Sequence, residues 1–235
     1  MLLIMIKKLC VIMLLAVFVV GCGKDIDPEP QQPDVENPDD DPGHDDEPDV
    51  PDDTTDTVEL AYRIGDYYSE GFIKGIVFNV DSTGEHGYVM ALDEIVTVWS
   101  YKFENVMYGL PSSDGNYNCD MVESMEGWKE NYPGFLWAEE KNILGLDSWY
   151  IPSSAEMSLM YNAFHGEGSE ADKEWFNECL TSNGGSALED TLYWTSGEMG
   201  PQIAYVFDMA TNTNSLDQET ATKTNEYPFR AICRF

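Results

Sequence analysis

Positive charge is what this chain has least of. Twelve Lys and Arg stand against 44 Asp and Glu, a formal net charge of −32 over 235 residues. Neutralising phosphates takes clustered cations, so nucleic acid is excluded as a partner. Attraction to anionic lipid headgroups is excluded on the same ground. Long apolar runs are also missing. The longest is twelve residues, Leu9 to Val20, and a membrane span needs about 20. Cysteine is sparse, with five in the chain and no close pair. That argues against a disulfide scaffold or a thiolate metal centre. No Ser, His and Asp arrangement or paired-carboxylate motif stands out from the acidic background.

What is present begins with the first 22 residues. Lys7 and Lys8 precede the apolar run, and Gly21 and Cys22 close it. Charge, hydrophobic core and small residue in that order read as a secretory signal over residues 1–21. Val19 to Cys22 (VVGC) resembles the bacterial lipobox, looser than usual at its first two positions. The resemblance implies cleavage before Cys22 and acyl chains on that cysteine, so the membrane is a partner through lipid rather than charge.

Residues 22–57 form a second segment. Between Asp25 and Asp56 lie fifteen acidic residues and seven prolines, with no Lys, Arg or aromatic side chain. A stretch with so little apolar surface cannot offset its ordering entropy and is expected to be a disordered, extended tether. Asp25 and Asp27, just after the lipidation site, resemble an export signal for the surface of the outer membrane. The implied location is lipid-anchored at the outer membrane of a Gram-negative cell. The Asp-rich run lacks the glycine-bearing spacing of a calcium loop, and His44 stands alone in it.

Residues 58–235 carry the aromatic side chains that can build a core. Gly75–Asp81 and Gly87–Leu92 read as strands joined by a Ser82–Gly84 turn. Cys119 to about Trp128 has helical spacing at Met121, Val122 and Met125. Pro133 interrupts, and a short helical piece follows to Lys141. Ser153 and Glu156 form a capping box ahead of Met157, Met160, Tyr161 and Phe164, an apolar helix face. A further helix from Ser169 carries Trp175, Phe176, Cys179 and Leu180 and stops at Asn183–Gly185. Three strands close the chain: Thr191–Ser196, Ile203–Ala210 and Tyr227–Phe235. In the last, alternation puts Phe229, Ala231, Cys233 and Phe235 on one side, Arg230 and Arg234 on the other. This is an α+β domain ending in antiparallel sheet.

Five stretches then carry a resemblance in order along the domain. They are Gly75–Ala91 (GIVFNVDSTGEHGYVMA), Trp149–Met157 (WYIPSSAEM), Tyr193–Glu198 (YWTSGE), Ala204–Phe207 (AYVF) and Phe229–Phe235 (FRAICRF). Together they resemble the Lcl C-terminal-domain family, which is related to the C-type-lectin-like fold and to the formylglycine-generating enzymes. The resemblance implies a C-type-lectin-like fold whose variable surfaces bind a ligand.

On this chain the display region maps to Glu198–Asn225, with Met199, Gln202, Tyr205, Asp208, Asn212, Asn214 and Asn225 as candidate ligand contacts. Tyrosine can stack, and amides adapt their hydrogen bonds. The ligand implied is a protein or a glycan. The lectin calcium signature is missing, and Gly200–Gln202 does not replace it, so no metal or cofactor is expected. An enzyme is not expected either, since Cys119, Cys179 and Cys233 show no close spacing. They read as buried thiols or as one disulfide, Cys119 with Cys179. His86 reads as a turn residue and His165 as an exposed or capping residue at a helix end. A subunit of a surface or fimbrial assembly is the alternative function.

Overall fold

The first of the five stretches, Gly75–Ala91, folds into the first hairpin. In the computed structural model, which describes residues 60–109, 111–143, 149–166, 170–211 and 219–235, β2 (Ile73–Val80) pairs antiparallel with β3 (Gly87–Ala91). β1 (Tyr67–Glu70) flanks β2, and the C-terminal β9 (Ile232–Arg234) flanks β3. Gly75 is fixed by proximity: a Cβ there would lie 2.1 Å from the Met90 carbonyl oxygen. The pairing slips between Val77 and Asn79, leaving Phe78 as a bulge residue buried with Ile76 and Val77. A second sheet pairs β4 (Ile95–Val98) with β8 (Glu226–Phe229), and a third orders β5 (Leu192–Glu198), β6 (Ile203–Asp208) and β7 (Thr220–Thr222). Every strand pair is antiparallel. With five helices among the described residues, the domain is α+β. All described residues fall in one unit, Thr54–Phe235. The proposed signal and tether, residues 1–57, lie outside them, and no described helix is long and apolar enough to cross a membrane.

Helix α1 (Gly115–Glu123) starts four residues before the expected position because Asp114 caps it, accepting from Asn116 N at 3.0 Å. Its buried residues, Gly115, Asn118, Cys119 and Val122, follow helical spacing. It stops at Ser124, and α2 (Trp128–Asn131) is a separate turn entered through Gly127. Pro133 does more than interrupt. It is the first residue of α3 (Pro133–Glu139), where its missing N–H costs nothing.

α4 (Ser154–His165) has the full capping box. Ser153 Oγ accepts from Glu156 N at 3.2 Å, and Glu156 Oε2 accepts from Ser153 N at 2.9 Å. Met157, Met160 and Phe164 are buried as the periodicity requires. α5 (Glu170–Ser182) buries Phe176 and Leu180 and ends at Gly184, in the left-handed region at φ +79°. Both helices pack on β2.

Two sequence readings are corrected, and one left open is decided. His165 is buried rather than exposed, because the last turn of α4 lies beneath the end of β6. Its Nε2 is 2.8 Å from the Met209 carbonyl and its ring stacks on Tyr161 at 3.8 Å. Of the two readings for the cysteines, the thiols hold and the disulfide does not: all three are free, Cys119 and Cys233 buried and Cys179 partly so. Cys119 is occupied by Ile151, whose N–H donates to Sγ at 3.3 Å, while Cys179 lies beside Gly65. The Tyr227–Phe235 strand is two strands in different sheets. Where the chain crosses between them, every residue from Phe229 to Cys233 is buried, so alternation is lost. Arg230 is therefore inside, donating to Ala91 O and Leu92 O at 3.0 Å and to Glu94 Oε2 at 2.7 Å. Arg234 alone is half-exposed, reaching Asp114 at 2.9 Å and Glu156 at 3.2 Å.

Candidate functional site

Between β7 and β8 the backbone of Lys223 joins two other segments. Its N–H donates to Gln202 O at 2.9 Å, and its carbonyl accepts from Trp99 N at 2.8 Å and Ser100 N at 3.2 Å. Its side chain is fully buried and goes further. Nζ donates to Glu104 O at 2.9 Å and to Glu198 Oε2, and lies 4.4 Å from the centre of the Trp99 ring. Glu198, at the end of β5, is buried too. Its other oxygen accepts from Val106 N at 2.5 Å and Met107 N at 2.6 Å. Residues 99–107, the β5–β6 turn and the β7–β8 turn are thus tied by one ion pair. Burial lowers the Lys223 pKa, and its carboxylate partner opposes that shift. An ammonium and a carboxylate inside a protein persist only when each is fully partnered, as both are here.

This framework holds irregular backbone in place and leaves its apolar side chains outside. Tyr101, Phe103 and Tyr108 on the first segment are 61%, 54% and 78% exposed, and Met199 on the β5–β6 turn is 62% exposed. Tyr108 has a φ of +48°, which costs a non-glycine residue about 1–2 kcal/mol. Its N–H is held by Asn105 Oδ1 at 3.1 Å. Such local strain survives only where surrounding contacts over-determine it. A hollow of about 450 Å³ lies against Met199, Gly200, Pro201, Gln202 and Ile203.

Of the sequence-derived candidates, Met199, Gln202 and Asn225 are exposed on the joined turns. Tyr205 is not available. β6 is the middle strand of its sheet with Ala204, Tyr205, Val206 and Phe207 all buried, and the Tyr205 ring lies against Gly197. Asp208 is engaged in its own turn, accepting from Ala210 N at 2.8 Å and Thr211 Oγ1 at 2.7 Å. Asn212 and Asn214 lie outside the described residues. His86 is exposed in the β2–β3 turn, where its carbonyl accepts from Asp81 N at 2.9 Å.

Sequence reasoning did not find residues 99–108, Glu198 as a buried acid, or Lys223. One signal was present: Lys223 is the only Lys or Arg between Lys173 and Arg230. A solitary cation among so many acids is a candidate for a buried pair. Among the described residues no group of three His, Cys, Asp or Glu side chains is placed to hold a metal. No family model matches the chain, and no curated protein matches it.

Proposed function

We propose that this protein is a cell-envelope lipoprotein that displays a recognition or adhesion domain. Acyl chains on Cys22 anchor it at the outer membrane, residues 22–57 act as a spacer, and the C-type-lectin-like domain from residue 58 engages a ligand. The N-terminal order of Lys7, apolar run and Cys22 supports the anchor, and the resemblance to the Lcl C-terminal-domain family supports the display role. One structural observation carries the recognition reading. Tyr101, Phe103, Tyr108 and Met199 are solvent-exposed on irregular backbone that the buried Lys223–Glu198 pair holds still. A large contiguous patch of such side chains would mark a docking site. Fixing them in advance lowers the entropy lost on binding.

Screening the domain, residues 58–235, against glycan and surface-protein arrays tests the reading. Binding to one class, lost in Tyr108→Ala, is the expected result. Silence on both arrays removes the recognition role. The anchor is tested apart from it: the mature protein should partition into detergent and carry acyl mass on Cys22. An unmodified cysteine there refutes the attachment.

A further inference from the structure

The segments that carry these aromatics hold few charges of their own, on a domain that is otherwise strongly acidic. From residue 58 onward the sequence holds 29 Asp and Glu against nine Lys and Arg. Six of those nine cations, Lys102, Lys141, Lys173, Lys223, Arg230 and Arg234, are already in ion pairs. The acid excess is therefore uncompensated over most of the surface. Yet residues 95–111 contain only Lys102 and Glu104, residues 199–207 contain no Asp, Glu, Lys or Arg, and residues 220–225 contain only the buried Lys223. Lys102 and Glu104 face each other at 4.0 Å. Exposed Glu219 and Glu226 stand at the borders of these segments, and exposed Lys129 and Glu130 flank Tyr101, whose N–H donates to Asn131 O at 2.9 Å.

We infer that the occupant of this face is a protein whose docking patch is apolar at its centre and bordered by Lys and Arg. The inference rests on the recognition reading and names its partner class. Aromatic side chains and methionine with few charges are the composition of a protein-interface core, and the charged rim governs encounter. Val96, Phe103, Met199 and Ile203, all exposed, offer no hydrogen bonds to sugar hydroxyls but do offer area to apolar anchors. The acidic surroundings select a cationic border and repel an anionic one.

The mature protein, immobilised and panned with a displayed random-peptide library, gives the test. Enriched peptides should combine aromatic or aliphatic anchors with Lys and Arg and avoid Asp and Glu. Association of such a peptide should slow about tenfold between roughly 0.05 and 0.5 M salt while dissociation changes less than about twofold. Tyr101→Ala with Phe103→Ala, and separately Tyr108→Ala, should each weaken binding about tenfold or more with the melting temperature kept. Enrichment of acidic peptides, or of peptides indifferent to these substitutions, overturns the inference. So does no enrichment at all. A neutral-glycan panel run beside it separates the two failures. A glycan held through the same three rings overturns the protein partner and keeps the recognition reading. Silence from peptides and glycans alike removes both.

Discussion

Replacing Lys223 by Met tests the physical basis of the site. The side chain has no exposure, and its ammonium is the cationic partner of a Glu198 carboxylate that is 1% exposed. Methionine fills similar volume without charge. It leaves Glu198 with only the Val106 and Met107 amides. Breaking a buried pair by removing one member costs about 3–5 kcal/mol, because the surviving charge stays out of water. For a domain of this size each kcal/mol lowers the melting temperature by roughly 2–4 °C, so a fall of roughly 6–20 °C is expected by calorimetry. The double variant K223M/E198Q removes the orphaned charge. It should recover at least about 1 kcal/mol relative to the sum of the single changes. Hydrogen exchange should show lost protection at the Val106 and Met107 amides in K223M. A melting point within about 2 °C of the parent, or a double variant no better than additive, refutes the reasoning.

Three further outcomes follow from other parts of the molecule. Burial pushes the Cys233 thiol from 9.0 to about 12 and the Tyr193 phenol from 10.0 to about 12. The fold thus holds both groups neutral where the unfolded chain would ionise. That stability is complete below pH 9 and is lost as pH rises toward 12. Lys223, whose pKa burial lowers, acts in the opposite sense below 10.5. The steepest drop in urea midpoint should therefore fall between pH 10.5 and 12, and a flat profile there contradicts the burial argument. At pH 8 the native domain should expose one slowly reacting thiol, Cys179, to a disulfide reagent. Cys119 and Cys233, both buried and shifted upward, should react only after denaturation. Ser153→Ala should cost about 1 kcal/mol in chemical denaturation by releasing the Glu156 N–H at the start of α4. An unchanged midpoint would mean that another group satisfies that amide.

How far the sequence could be read depended on how local the governing interactions are. The first hairpin, the Ser153–Glu156 capping box and the glycine end of α5 depend on neighbours a few residues away, so composition and spacing announce them. Regular periodicity failed where both sides of a segment are covered. In β6 and in residues 229–233 burial runs through consecutive positions, and alternation no longer tells inside from outside. That is why Tyr205 looked available as a contact and Arg230 looked as if it shared a side with Arg234. His165 went astray for a related reason: a helix end is normally wet, but here the ring is buried and meets the Met209 carbonyl just past the end of β6.

Net charge, the order of segments around Cys22 and the α+β alternation of the domain were settled by the sequence, because each is a property of composition or of short-range spacing. Which side chains meet was settled only by the tertiary structure. Glu104, Glu198 and Lys223 are far apart along the chain, and burial brings a carboxylate and an ammonium together because neither could stay charged in the core alone. The exposed aromatics of residues 101–108 depend on that meeting, and no local pattern could have marked them.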